Sequence, residues 1–226
     1  MSGVARPTRA LREGPLRLAL PRGALFESTL DRLDAVGVDT SELRSDSRSL
    51  VFETGDLMLV TMRPSDVPTY VEAGAADLGI TGKDVLMEQS DRAFYELLDL
   101  GYGGCRMVLA APAGDDHSEE HERRLGAVRI ATKYPRIAER FFEDTGRRAE
   151  VIEVKGSVEL APISGLADAI VDLVDTGRTL RENGLEVREE IAASTARLIA
   201  NRVAHKLRAA EIDDLAKRLD AVGEAS

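Results

Sequence analysis

Residues 168–184 read Asp168-Ala169-Ile170-Val171-Asp172-Leu173-Val174-Asp175-Thr176-Gly177-Arg178-Thr179-Leu180-Arg181-Glu182-Asn183-Gly184. An apolar run carrying two acids stops at a polar, glycine-centred turn. A helix-like stretch follows and ends at Asn183-Gly184. The pattern predicts a buried strand, a tight turn and a helix start. Such a turn aims backbone N–H groups and hydroxyls at one point, where a phosphate can sit. Acids inside an apolar strand are costly unless partnered, so Asp168 and Asp172 read as candidates for ribose hydroxyls or a divalent metal. The segment as a whole points to a sugar-phosphate site. Simple helix capping by Asp175 or Thr179 is the structural alternative.

The same strand–turn–helix grammar recurs along the chain. Leu16–Leu20 runs into Pro21-Arg22-Gly23, and a helix-spaced stretch follows to Val36. Leu57–Met62 runs into Arg63-Pro64, and Ala76–Thr81 into Gly82-Lys83-Asp84. Further strands are predicted at Leu97–Leu100, Arg106–Ala111, Val128–Thr132, Ala149–Val154, Leu185–Ile191 and Arg197–Asn201. Helices are predicted at 135–145 and 203–221, and Lys155-Gly156-Ser157 is expected to open a short helix. Alternation of this kind implies an α/β fold with mainly parallel sheets. Two clusters of units give two lobes: residues 15–103 with 190–226, and residues 104–189. Residues 1–14 read as a flexible tail. A cleft between lobes is the natural ligand site in such a plan.

The turns after strands gather the chemistry. Arg22 and Gly23, Gly82 and Asp84, Glu153 with Lys155, Gly156 and Ser157, and the 175–179 turn all fall at strand ends, which line the ligand crevice in open α/β sheets. Arg48, Arg63, Arg106 and Lys133 lie beside apolar runs and form a candidate cationic set, because guanidinium forks suit phosphate oxygens.

Composition removes several classes. The formal net charge of −10 over 226 residues disfavours a broad nucleic-acid surface. No run of about 18 apolar residues is present, so no membrane span is expected, and the N-terminus has no apolar signal-peptide core. The single cysteine, Cys105, excludes an intrachain disulfide and reads as a small buried hydrophobe. His117-Ser118-Glu119-Glu120-His121 has an inverted zinc-protease spacing. It lies in a charged run with no apolar helix face and reads as a solvated loop. No metal ligands are assigned.

The segments Ala131-Thr132-Lys133-Tyr134-Pro135, Lys155 to Pro162, Asp168 to Leu185, Arg63 to Tyr70 and Ala76 to Asp84 resemble the ATP phosphoribosyltransferases, in order and across about Leu16 to Asn201. The length is similar to the short form of that family. The resemblance implies a two-lobed fold like the type II periplasmic binding proteins. It implies cytoplasmic histidine biosynthesis, with ATP and phosphoribosyl pyrophosphate as substrates, Mg²⁺ as cofactor, and a regulatory subunit similar to histidyl-tRNA synthetase in a hetero-octamer. On that reading the 175–179 turn cradles the 5-phosphate. Arg63, with Arg48 as second choice, neutralises the departing pyrophosphate. One departure stands out: the family's Pro-Lys-Gly-Arg-Leu is here Pro21-Arg22-Gly23-Ala24-Leu25. A non-catalytic ligand-binding paralogue on the same fold is the alternative.

Overall fold

A computed structural model describes residues 14–45, 48–114 and 126–223. The zinc-protease-like spacing at 117–121 and nearly all of the predicted tail lie outside the described residues. The chain divides into two compact units, Met1–Gly103 with Thr195–Ser226, and Gly104–Ser194.

In the first unit, β1 (Leu16–Pro21), β2 (Val51–Thr54), β3 (Leu57–Met62), β4 (Leu78–Gly82), β5 (Phe94–Asp99) and β11 (Ala196–Asn201) form one sheet in the order β2-β3-β1-β4-β11-β5. Period-two alternation sends Leu18 and Leu20 of β1 to one face and Ala19 to the other. On the leucine face the core is closed by Leu30 and Leu33 of α1 (Phe26–Ala35) and by Ile212, Leu215 and Leu219 of α8 (Ala209–Gly223). On the other face Val67 and Val71 of α2 (Val67–Glu72) and Leu86 of α3 (Lys83–Glu88) pack with Ala19 and Ile199. A Cβ on Gly79 would stand 2.5 Å from Val67 Cγ1 and 2.8 Å from Val71 Cγ2, so glycine there lets α2 approach β4. Asn201 joins these layers: its Oδ1 accepts from the N–H groups of Val203 and Ala204, and its Nδ2 donates to the carbonyls of Val71 and Glu72.

In the second unit, β6 (Cys105–Pro112), β7 (Val128–Thr132), β8 (Ala149–Glu153), β9 (Ala169–Val174) and β10 (Leu185–Ser194) form a sheet in the order β10-β6-β9-β7-β8. Val108, Ala110, Ile170 and Val174 pack on one face with Val158, Ala161 of α5 (Leu160–Ile163) and Leu180 of α6 (Arg178–Glu182). The remaining helix of this unit, α4 (Pro135–Asp144), buries Ile137, Ala138 and Phe142 and packs against β7 and β8.

Four departures from the sequence reading have physical causes. The sheets are mixed, where mainly parallel pairing was expected. β3-β1-β4 and β8-β7-β9 are parallel, but β6 and β11 run antiparallel to β9 and β4. Each of these two strands begins at the C-terminal edge of its parallel neighbours, with Arg106 opposite Val174 and Ala196 opposite Gly82, and from that edge a strand can only run back. The second unit extends to Ser194 and not 189, because β10 stays paired with β6 until Ser194 meets Cys105. The helix expected over 203–221 is two, α7 (Arg202–Leu207) and α8. It breaks at Arg208, whose buried guanidinium donates to the Gly14 and Pro15 carbonyls and pairs with Glu211. β2 was not anticipated. It buries only Phe52 and returns to β3 through Gly55-Asp56, with Gly55 at φ +55°.

Candidate active site

Three parallel strands of the second unit, β7, β8 and β9, end at one edge of the sheet, and β6 begins there. Thr132 is level with both Glu153 and Val171, and Arg106 with Val174. This register gathers Arg106, Lys133, Glu153, Lys155, Gly156, Ser157, Asp172 and the Asp175–Thr179 turn at that edge.

Gly177, at φ +71°, is the N-terminal boundary of α6 and offers no side-chain cap, while Thr176 Oγ1 accepts from the Arg178 N–H at 3.4 Å. Asp175 and Thr179 are both exposed there, so the capping role that was the alternative for these residues is not taken up. The first turn of a helix has N–H groups without intrahelical partners, and here they adjoin exposed hydroxyls. The Thr176 carbonyl is tied to Arg181 Nη1 at 3.1 Å. Arg178 turns outward to Glu182, 2.7 Å away, in an exposed pair. Arg106 is paired with Glu190 at 3.1 Å.

Asp172 is 8 % exposed. Its Oδ1 accepts from the Leu173 N–H at 2.9 Å, and Lys133 Nζ stands 3.9 Å from Oδ2. Burial pushes its carboxyl above the usual range, opposed by the Leu173 N–H and Lys133 and aided by Glu159. A carboxyl whose folded-state pKa is raised stabilises the fold at pH below its unfolded value, and that contribution is lost as pH rises through the raised value. Asp172→Asn is therefore expected to raise the melting temperature at pH 7.5, with the gain shrinking toward pH 4, while weakening sugar binding. Thermal scans over that range with phosphoribosyl pyrophosphate titrations check both halves.

Asp168 is the clear correction. It lies before the first residue of β9, at the opposite end of the strand from the turn. Its carboxylate accepts from the Arg129 N–H at 2.9 Å and pairs with Arg129 Nη2 at 2.8 Å. It is a clamp and takes no part in the phosphate edge. Asp168→Ala is expected to lower the melting temperature by several degrees and leave the KM for phosphoribosyl pyrophosphate within twofold. The loop after β8 also departs from expectation. Ser157 caps nothing, α5 starts only at Leu160, and a Cβ on Gly156 would meet open space.

The first unit builds a matching edge. β3, β1 and β4 are parallel, Pro21 is level with Met62, and Arg22, Arg63 and Gly82 leave the sheet on one side. Arg48 precedes β2, which pairs antiparallel with β3 and so starts at the same edge. Gly23 turns the chain at φ +96°. Arg22 donates through Nε to Thr61 Oγ1 at 3.1 Å and lies over the Phe26 ring. Asp84 folds back over Gly82, where a Cβ would stand 2.1 Å from Asp84 Oδ1. Two positioning residues were missed in the sequence. Thr61 holds Arg22, and Thr81 Oγ1 donates to the Pro64 carbonyl at 3.0 Å, fixing the Arg63 turn. Hydroxyls inside otherwise apolar strands were the available signal.

The E. coli periplasmic aliphatic sulphonate binding protein SsuA aligns with a TM-score of 0.59 over 93 % of this chain and 69 % of that one, at 14 % identity. The fold is that of the type II periplasmic binding proteins, here with phosphate-type turns on each sheet. Residues 63–221 match the family described as HisG, ATP phosphoribosyltransferase. A Rubrobacter xylanophilus ATP phosphoribosyltransferase is 55 % identical over 88 % of this chain and 93 % of its own length. One from Symbiobacterium thermophilum is 51 % identical over 91 % and 93 %. A solved ATP phosphoribosyl transferase (HisG:HisZ) complex from Thermotoga maritima aligns with a TM-score of 0.79 and 37 % identity, over 93 % of this chain and 100 % of that one. The chain belongs to the ATP phosphoribosyltransferase family, and its activity is that transfer, the first step of histidine biosynthesis.

Proposed function

We propose that each of the two edges binds substrate phosphate. The Asp175–Thr179 turn receives the 5-phosphate of phosphoribosyl pyrophosphate on backbone N–H groups and the Thr176 and Thr179 hydroxyls, with Asp172 toward the ribose. Lys133, Lys155 and Arg106 make the potential there more positive, and the Ser157 hydroxyl and Gly156 N–H add donors. Arg63, assisted by Arg48 and Arg22, takes the diphosphate as the C1–O bond breaks and the bond from adenine N1 to C1 forms. Adenine N1 carries no proton, so the step needs no strong general base. What the residues supply is placement and charge stabilisation.

Mg²⁺ fits as an ion carried on the diphosphate. Among the described residues no three His, Cys, Asp or Glu side chains converge, and Mg²⁺ is commonly held by one or two carboxylates with substrate phosphates. Asp172, the buried carboxylate at the phosphate edge, would help hold it, and it would supply positive charge to the substrate's phosphates. We also assign the chain a regulatory partner similar to histidyl-tRNA synthetase, in a hetero-octamer in the cytoplasm. The Thermotoga relative solved with HisZ supports a partner of that kind.

The observation that carries this reading is the exposed, glycine-centred 175–179 turn at a helix start, beside a buried acid and at an edge shared with three cations. The test is to mix the chain with ATP, phosphoribosyl pyrophosphate and Mg²⁺, alone and with the regulatory subunit, and follow phosphoribosyl-ATP by ultraviolet absorbance. Product shows in addition that Ala24 is tolerated at the position where the resembled family motif has arginine. No product in either mixture, with the subunit bound, would favour the ligand-binding paralogue.

A further inference from the structure

Thr132 is the last residue of β7, the strand that lies between β8 and β9. Three connections leave the phosphate edge around it: the turn through Lys133 into α4, the loop through Lys155 after β8, and the end of β9 through Asp172 to the 175–179 turn. The ladder of β7 ends at this residue, where Thr132 is level with Glu153 on one side and Val171 on the other. Thr132 makes one further bond toward each connection. Its Oγ1 donates to the Val171 carbonyl at 2.7 Å, on the peptide that joins Val171 to Asp172. The same oxygen accepts from the Tyr134 N–H at 2.9 Å and closes the turn around Lys133. Its backbone carbonyl accepts from the Val154 N–H at 2.9 Å, one residue before Lys155.

Thr132 is fully buried, so its side chain meets protein and not ligand. Valine would suit a buried strand end as well; what it lacks is the hydroxyl. A hydroxyl taken out of water is costly unless bonded, and this one is bonded to the two backbone groups that frame Lys133 and Asp172. The charged ends of those two residues stand 3.9 Å apart, so their relative placement depends on that one oxygen. The first unit uses the same device: Thr81, also fully buried, donates to the Pro64 carbonyl beside Arg63.

We propose that Thr132 is a positioning residue for the transfer, its hydroxyl setting Lys133 and Asp172 for the phosphoribosyl group without touching it. This rests on the reading above that the edge receives phosphoribosyl pyrophosphate. A small displacement of groups that hold a substrate is enough to weaken binding and slow reaction. A purely structural threonine would instead affect only how much protein is folded.

The test is calorimetric titration of the full chain with phosphoribosyl pyrophosphate and Mg²⁺, beside melting curves. Thr132→Val is expected to raise the Kd about tenfold at unchanged stoichiometry, the order of effect of one lost hydrogen bond. Partial unfolding would do the reverse, lowering the stoichiometry and leaving the Kd where it was. Thr132→Ser keeps both hydroxyl bonds and loses a buried methyl, so it is expected to melt below wild type and yet bind within about threefold of it. If Thr132→Val does not fold, Thr132→Cys keeps a weak donor in a similar volume and is expected to show the same loss at smaller amplitude. Wild-type affinity in the folded valine variant, or equal losses for serine and valine, overturns the positioning role. Gly177→Val separates this from a misplaced site. If it binds weakly while Thr132→Val binds normally, only the proposal falls. If both bind normally, the edge does not receive the substrate, and the reading above falls with the proposal.

Discussion

Arg63→Ala is expected to lower kcat by about 10²–10³-fold while changing the KM of either substrate much less. The departing diphosphate gains charge as the bond to C1 breaks, so a cation placed for it acts most strongly in the transition state. Removing one such preorganised donor commonly has an effect of that size. The structure gives Arg63 a fixed stem and an uncommitted head. It follows β3 directly, at φ −66° and ψ 142°. Its carbonyl accepts from the Asp66 N–H at 2.9 Å, and the next two carbonyls are held by Thr81 Oγ1 at 3.0 Å and Gln89 Nε2 at 2.8 Å. Among the described residues no carboxylate pairs with it. Arg22 differs, since Thr61 and the Phe26 ring already engage it. Arg63→Lys keeps the charge but loses the planar fork, so an intermediate kcat is expected. Steady-state kinetics with both substrates decide the matter. A raised KM with kcat unchanged would move Arg63 from the leaving-group step to ground-state binding.

The contrast between Asp172 and Asp168 shows how far the sequence could be read. Both are acids of the same apolar stretch, and from sequence alone they have the same standing. Strand polarity separates them: four residues at about 3.3 Å each place them at opposite edges of the sheet, and only one edge has the phosphate turn. Which edge an acid reaches depends on where β9 starts, and element boundaries are the least legible part of a sequence. Parallel strands and their turns were readable because each is local, an apolar run meeting Gly, Pro or Thr. The antiparallel strands β6 and β11 were legible as strands but not as pairings, since their direction depends on the edge at which the chain arrives. The Arg208 break was hidden for a similar reason. Helical periodicity continues across it, and the partners that hold Arg208, at Gly14 and Pro15, are almost the whole chain away. Thr61 and Thr81 were passed over because a threonine fits a strand without any further role.

Gly177→Val is expected to raise the KM for phosphoribosyl pyrophosphate by about 100-fold or more, with a far smaller effect on global stability. Space is not the obstacle. A Cβ would lie 3.3 Å from the far end of the Arg181 side chain and 3.6 Å from Val174 Cγ1. The obstacle is the backbone, because φ +71° costs an ordinary residue roughly 1–2 kcal/mol and a β-branched one more. The turn is exposed and joins two elements at their ends, so the chain can relieve that strain locally by rotating the peptides around residue 177. The sheet, buried on both sides of β9, need not move. Such a rotation redirects the N–H groups proposed to receive the 5-phosphate, so affinity is expected to fall while the fold survives. Gly177→Asn separates conformation from bulk. Asparagine adopts the left-handed region at low cost, so it should recover much of the affinity that valine loses, although its side chain is of similar size. Calorimetric titration of both variants, beside their melting curves, makes the comparison. Equal losses for asparagine and valine would mean that the side chain blocks the phosphate and that the left-handed turn is not what glycine provides.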